Sequence, residues 1–457
     1  MERLDVTLIE NYVLTFLRTN FVFSRVKLTL KLCCLNLQDL IKKTPTYVPR
    51  PEHNLSRHNM SQAALNVLYQ LHKSGYQAFL VGGGVRDLLL GRAPKDFDIV
   101  TNALPEQIKN SFNNCRLIGR RFVLAHVRFN KEIVEVATFR ATHTDGKGEG
   151  RIENGQIVRD NVYGSTIDDD AGRRDFTINA IYYNISDFSL IDYANGIEDL
   201  KTGIIRLIGD PVLRYQEDPV RMLRAIRFAA KLEFTIAPKT ATPIPELAGL
   251  LANIPPARLF EEVLKLFLSG HAMESFKLLR QYGLFQQLFP QTATCLKNPV
   301  ALKLIEQVMY DTDERISNDK PVTPAFLLAA LLWPPLLCQL PDKPDKGTNL
   351  QEKLIETSQR LLARNAQQRV AIPRRITVPM QEIWLLQLRL TRHNKVKKKN
   401  IKLLEHPQFR AGYDFLLLRS KAGENEITEY ADWWTDLLAD GSVVVPVKRF
   451  RRKKKIK

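Results

Sequence analysis

Cysteine is scarce in this chain of 457 residues: five thiols, Cys33, Cys34, Cys115, Cys295 and Cys338, with no CxxC spacing and no even framework. The shortage excludes a disulfide scaffold and a cysteine zinc site, and predicts reduced, buried thiols in a cytosolic protein. Eight histidines without an HExxH pair exclude the zinc-protease helix, and His126, inside a strand-like run, reads as a packed side chain. Long apolar runs are missing too. Tyr12 to Leu17 and Phe21 to Phe23 are apolar, but Arg18, Arg25, Lys27 and Lys31 interrupt them, far short of the roughly 18 to 20 residues of a membrane span. Glu2, Asp5 and Glu10 argue against the basic start of a secretory signal. Acidic charge is the remaining shortage: 67 Lys and Arg against 49 Asp and Glu leave a net charge of +18, which suits a polyanionic partner, whether nucleic acid or an acidic membrane. Core material is plentiful, with 44% hydrophobic and 9% aromatic residues, and a chain of 457 residues has room for about two to four domains.

The stretch from Ala78 to Val100, AFLVGGGVRDLLLGRAPKDFDIV, reads as an apolar strand, a glycine turn, a short amphipathic helix and a second strand carrying Asp96 and Asp98. Strand alternation puts both carboxylates on one side and Phe97 in the core. Two aligned carboxylates suit a hard, oxygen-seeking cation. Gly82, Gly83 and Gly84 leave room for phosphates near the backbone, a helix starting near Val85 aims free amides at an anion, and Arg86 adds a guanidinium fork. Taken alone, each motif more often marks only a tight turn or a solvated strand end. A GxxxxGKS/T loop is absent and a GxGxxG helix opening does not fit. In this order and spacing, however, the motifs describe a triphosphate corner beside a two-carboxylate metal site. Metal there would lower the pKa of an attacking hydroxyl and neutralise a leaving pyrophosphate.

Gly82 to Gly91 followed by Asp96-Phe97-Asp98 resembles the head-domain signature of the class II nucleotidyltransferases of the DNA polymerase beta superfamily, which include bacterial poly(A) polymerases and CCA-adding enzymes. Arg173 to Ala180, RRDFTINA, resembles the family's second motif, and Glu217 to Phe228, EDPVRMLRAIRF, its base-recognition helix. The similarity runs from about His53 to Tyr430. It implies an α+β fold, an N-terminal DNA polymerase beta-like head with a mixed sheet followed by an all-α neck and body. It further implies Asp96 and Asp98 as catalytic carboxylates and metal ligands, with Asp175 as the third catalytic carboxylate. Glu135, on the alternating strand Ile133 to Phe139, is the competing candidate for that third place. Nucleotide contacts fall to Gly83, Gly84, Arg86, Asp87, Arg174, Asn179, Asp218, Arg221, Arg224 and Arg227. The implied cofactor is Mg²⁺, and Mn²⁺ suits the same oxygen ligands.

These motifs also carry chemistry of their own. RRDFTINA combines two cations, a carboxylate and an amide at the start of an apolar helix, able to meet phosphates and ribose, or simply to cap a helix. Arg221, Arg224 and Arg227 recur every three residues, on one broad helix flank. An aspartate accepts from the exocyclic amine of A or C while an arginine donates to A N1 or C N3. A pocket of Asp218 and Arg221 therefore favours A and C over G and U, which would leave buried polar groups unpaired. It does not separate ATP from CTP.

Residues 1–52 read as an N-terminal extension outside the similarity, 53–209 as the head, 210–275 as a helical neck, 276–446 as a helical body and 447–457 as a basic tail. Within the head, strands are expected around Ala78, Asp96, Val123 and Ile133, with an Asn130-Lys131 turn, helices on one side, and a mobile loop over Thr142 to Gly155. Past Asp210 the pattern is helical, with Pro243, Pro245, Pro255, Pro256, Pro290 and Pro299 separating segments and PDKPDKG, Pro341 to Gly347, as a surface turn. Lys395 and Lys397 to Lys399 form one basic run. Lys448, Arg449, Arg451, Arg452, Lys453, Lys454 and Lys455 form a tail suited to RNA phosphates.

Leu117 to Val127, LIGRRFVLAHV, resembles a stretch of the polyadenylating members, with Val123 where a basic residue is usual. Asn161-Val162-Tyr163-Gly164-Ser165 and the tail resemble the same group, and no HD dipeptide of a phosphohydrolase occurs. The resemblance therefore implies template-independent addition of AMP from ATP to RNA 3′ ends in the cytoplasm, without a membrane, promoting RNA processing and decay. CCA addition to tRNA is the alternative and a non-catalytic RNA-binding protein the third reading. No protein partner is legible.

Overall fold

The computed structural model describes residues 44–119, 122–130, 132–141, 147–153, 156–340, 349–391 and 403–439. The chain divides into two units, 1–47 and 48–457. In the first, only 44–47 are described, and Tyr47 is exposed. All that follows concerns the second.

Helix α1, Gln62–Lys73, starts where the Ser61 side chain accepts from the Ala64 amide, and it buries Ala64, Val67, Leu68 and Leu71. An N-cap of this kind stabilises a helix by about 1 kcal/mol. Strand β1, Ala78–Val81, is buried along its whole length. The seven residues of α2, Gly83–Leu89, lead through an irregular stretch to β2, Asp98–Thr101. After α3, Pro105–Ser111, come β3, Cys115–Ile118, β4, Leu124–Phe129, and β5, Glu132–Thr138. Asn130 between the last two has φ +50°, as a tight turn requires; Lys131 lies outside the described residues.

A hairpin of β6, Lys147–Glu153, and β7, Gln156–Tyr163, follows. The loop expected over Thr142 to Gly155 is thus corrected for 147–153, which is strand. Its Gly and Glu content masked a partner, β7, whose Ile157 and Val162 are buried. Helix α4, Ile167–Arg173, leads to β8, Ile181–Asn184, and β9, Leu190–Asp192.

The strands order as β9-β8-β1-β2-β5-β4-β3. The β2/β5 pair is parallel and the other neighbours antiparallel, the mixed sheet expected. Helices were expected on one side only. Alternation instead gives each face its own core: Leu80 and Ile99 join the large cluster with α1, whereas Phe79, Val81, Val100 and Tyr182 pack with Ile167 and Ala171 of α4.

Beyond a short helix α5, Gly196–Thr202, the chain becomes helical. The elements closest to the head are α6, Pro211–Glu217, α7, Val220–Leu232, and α8, Pro256–Phe267. Then come α9, Ala272–Gln281, α10, Pro299–Ser317, α11, Pro324–Leu337, α12, Leu350–Gln368, α13, Arg374–Leu390, α14, Phe409–Ala422, and α15, Thr428–Ala439. Pro256, Pro290 and Pro299 open helices, where a missing N–H costs nothing. One buried cluster runs from the sheet through α7 and α8 to Phe415 and Leu418 of α14. Among the described residues no helix is long and apolar enough to cross a membrane. The Pro341 to Gly347 turn, the Lys395 to Lys399 run and the Lys448 to Lys457 tail lie outside the described residues.

Candidate active site

The first glycine sets the geometry. Gly82 precedes α2 with φ +76° and ψ −145°, a region closed to other residues, and a Cβ there would meet Asp98 Oδ2 at 3.1 Å. Gly84 is pressed against the Asp96 carbonyl, 3.3 Å from a Cβ position, whereas at Gly83 the nearest atom is the Arg86 guanidinium at 3.5 Å. The helix begins at Gly83, two residues before the expected Val85, and β2 begins at Asp98. Asp96 therefore stands in the exposed approach to the strand rather than on it, a correction to the two-on-one-strand reading.

RRDFTINA is corrected as well. Arg173 ends α4, Arg174 caps it, and Thr177–Asn179 makes a single 3₁₀ turn into β8. No apolar helix starts there, because Thr177, Ile178, Ile181, Tyr182 and Tyr183 are the β-branched and aromatic residues that strands prefer.

A cleft of about 430 Å³ joins these elements to α7 and α8. Of the candidates, Gly83, Arg86, Asp98, Arg174, Asp175, Asn179, Asp218, Arg221 and Arg224 line it, whereas Gly84, Asp87, Asp96 and Arg227 stand behind or beside it. A chain of hydrogen bonds threads the candidates together. Arg86 donates from Nε to Asp87 Oδ1 at 2.8 Å and from Nη1 to Asn179 Oδ1 at 2.8 Å. Asn179 donates to Asp175 Oδ1 at 3.2 Å, and Arg224 Nε donates to Asp175 Oδ2 at 2.7 Å. Phe228 is the apolar hub beneath: the guanidinium carbons of Arg86, Arg224 and Arg227 sit 5.2, 5.2 and 5.0 Å from its ring centroid, within cation–π range.

The Asp218–Arg221 pair is braced from behind. Arg221 Nη1 donates to the Arg214 carbonyl at 2.6 Å and to Glu217 at 2.9 Å, and Arg258 Nη2 donates to Asp218 Oδ2 at 2.8 Å. Arg214 Nη2 in turn donates to the carbonyls of Arg173, 3.0 Å, and Arg174, 2.6 Å, fastening α6 to the second motif. Sequence reasoning missed Arg140, Arg214, Arg258 and Glu262. They lie outside the three motifs or at unremarked positions within the helical run, and only packing brings them to the cleft.

Charge sorts the carboxylates. Burial would raise Asp175, but Arg224 and three hydrogen bonds hold it well below the usual range. The buried Asp170 is likewise held low, against burial, by Arg174 and Arg140 with help from Tyr182. Asp98 goes the other way: burial pushes it up, Glu135 adds to that and Asp96 pushes the same way, with Arg174 opposing. Glu135 is the cross-strand neighbour of Asp98 in the β2/β5 register, and its Oε1 lies 3.3 Å from His126 Nε2. Among the described residues no group of three or more His, Cys, Asp or Glu is close enough to hold a metal ion. The crowding of negative charge on Asp98 nonetheless fits a hard divalent cation held by one or two carboxylates, with phosphate oxygens and water completing its shell.

The thiol reading is partly corrected. Cys115 and Cys295 are half-buried and Cys338 is exposed; Cys33 and Cys34 lie outside the described residues, as do Arg120 and Arg121 of the Leu117 to Val127 stretch.

Comparison with known proteins follows the same lines. Residues 78–206 match the family model of the poly A polymerase head domain, 233–296 that of the probable RNA and SrmB-binding site of polymerase A, and 346–443 that of the polymerase A arginine-rich C-terminus. Poly(A) polymerase I of Escherichia coli O157:H7 is 50% identical over 406 residues, 87% of this chain and 86% of that protein. The Haemophilus influenzae poly(A) polymerase I is 48% identical over 391 residues, 84% of this chain and 86% of that one. A Lactobacillus helveticus CCA-adding enzyme is 38% identical over 215 residues, 47% of this chain and 52% of its own length. Among solved structures, the Bacillus stearothermophilus CCA-adding enzyme in complex with CTP has a TM-score of 0.56 at 25% identity, covering 83% of this chain and 82% of that one.

Proposed function

Because the chain belongs to the poly(A) polymerase family of nucleotidyltransferases, we propose that it adds AMP from ATP to RNA 3′ ends without a template and releases pyrophosphate. The observation that carries the reading is the convergence in one cleft of the Gly82 corner, Asp98 and the Asp218–Arg221 pair. The triphosphate lies along Gly82 and Gly83, which carry no side chain of their own, with the Arg86 guanidinium beside Gly83. Asp218 accepts from the adenine amine and Arg221 donates to the ring nitrogen. Both are braced before substrate arrives, which lowers the ordering cost at binding.

The enzyme is metal-dependent. Asp98 and Asp96 would hold the ion, Mg²⁺ by the hardness of the donor set. Asp175, expected as the third catalytic carboxylate, gives its lone pairs to Arg224, Asn179 and the Phe176 amide and acts as a positioning acid, which leaves the third place to the competing candidate Glu135, the cross-strand neighbour of Asp98. When bound, the metal supplies Lewis acidity at the 3′ hydroxyl and at the pyrophosphate. Arg174 and Arg224 line the same cleft and balance the phosphate charge. RNA enters along the helical half, residues 210–446, divided functionally at about 275, and the tail after 446 adds phosphate contacts. The setting is the cytoplasm, with no membrane involved.

An extension assay with Mg²⁺ on a generic 3′-hydroxyl RNA and on tRNA lacking CCA tests this. Long ladders from ATP alone on generic RNA are expected. Extension confined to tRNA, needing CTP and stopping after CCA, would assign the chain to the CCA-adding enzymes instead.

A further inference from the structure

Two thiols from separate helices meet at the surface of the helical half. Cys295 ends the short helix Pro290–Cys295, Cys338 caps α11, and their Sγ atoms lie 3.5 Å apart. The two segments are also tied together at Gln291 and Thr292, one turn ahead of Cys295. Thr292 Oγ1 donates to the Leu331 carbonyl at 2.9 Å, and Gln339 Nε2 donates to Gln291 Oε1 at 3.2 Å. Cys295 Sγ donates to the Gln291 carbonyl of its own helix at 3.3 Å, which spends its S–H on that carbonyl and leaves sulfur lone pairs for Cys338. Cys338 is exposed and Cys295 half-buried. Nucleotidyl transfer uses neither residue.

From this geometry we propose that Cys295 and Cys338 form a dithiol modification site that reacts with low-molecular-weight disulfides, of which glutathione disulfide is the probe, and closes to an intramolecular disulfide. A disulfide bond of about 2.05 Å needs the two sulfurs to approach further, a movement open to side-chain rotation at the exposed Cys338. The exposed Cys338 reacts first: its thiolate attacks one sulfur of the oxidant, a mixed disulfide forms, and one glutathione thiolate leaves. The Cys295 thiolate then attacks the Cys338 sulfur and displaces the second glutathione. The pair is oxidised by two electrons, glutathione disulfide is reduced to two thiols, and the protons lost by the cysteines end on those thiols. Burial pushes the Cys295 thiol up to about 11, with Cys338 adding to the effect, which lowers its thiolate fraction near neutrality and slows the closing step. The closed loop contains α10 and α11, whose unfolded chain it constrains.

The test uses the full chain, incubated with glutathione disulfide, alkylated, digested and mapped by mass spectrometry. A Cys295–Cys338 cross-linked peptide is expected, with loss of two free thiols, a higher melting midpoint and reversal by dithiothreitol. In Cys295→Ser, glutathione should remain on Cys338; in Cys338→Ser, Cys295 should stay unmodified, with AMP transfer unchanged as the control for folding. Glutathione retained on Cys338 of the unsubstituted chain without a cross-link, pairing of Cys338 with another cysteine, or no reaction at either thiol would each overturn the proposal.

Discussion

At Gly82 two constraints coincide: a positive φ that a side chain resists and a Cβ position 3.1 Å from Asp98 Oδ2. Gly82→Ala is therefore expected to destabilise the fold by about 1–3 kcal/mol and to lower kcat by displacing Asp98, measured by thermal melting beside an AMP-incorporation assay. Alanine at Gly91, where a Cβ meets open space despite φ +69°, should leave kcat unchanged. Asp170 supplies a pH signature. Its folded carboxyl lies below the 3.8 of a free aspartate, held by Arg174 and Arg140 against burial. The stability it contributes is fully present above 3.8 and is lost as pH falls through the lower folded value. Asp170→Asn should cost about 3–5 kcal/mol near neutrality and flatten the acid limb of a denaturant-midpoint-versus-pH curve. A limb that stays as steep would mean that other carboxylates carry it.

At the scale of elements, α6 works as a clamp. Arg214 ties the carbonyls of Arg173 and Arg174 to the helix that bears Glu217, and Glu217 holds Arg221. Arg214→Met should loosen both motifs together, raising KM for ATP and cutting kcat by roughly tenfold or more while RNA affinity is kept; a change in RNA affinity alone would refute the clamp. In the body, α13 and α14 cross at Gly412, where a Cβ would lie 2.8 Å from Leu386 Cδ1. Gly412→Ala should destabilise by about 1–3 kcal/mol, seen in melting, with the fully folded fraction keeping its kcat. These elements also show what a sequence makes legible. The strand, glycine corner and Asp98 lie within a contiguous stretch, so their order and spacing carried the chemistry. RRDFTINA misled because its cations and amide resemble a helix cap, while β-propensity took the segment into β8. The hairpin of β6 and β7 was hidden because pairing, not composition, makes it. Arg258 reaches Asp218 across 40 residues of chain, and no local pattern announces a contact of that kind.

On the scale of the whole molecule, the net charge of +18 predicts an RNA affinity that falls steeply with salt. Deleting Lys448 to Lys457 should lower that affinity and reduce the slope of log K against log salt, without altering the ratio of ATP to CTP incorporation. Retention of both affinity and slope would remove the tail from the RNA path. One continuous core links the sheet to the helical half, so the cleft between them is held by packing on both sides. The most direct measurement is single-turnover AMP transfer to a 3′-hydroxyl RNA by Asp98→Asn, with RNA affinity determined on the same preparation. The account predicts transfer lowered by several orders of magnitude with RNA affinity unchanged. Transfer at the rate of the unsubstituted chain would contradict it, because the carboxylate on which burial, Glu135 and Asp96 converge would then have no part in the reaction.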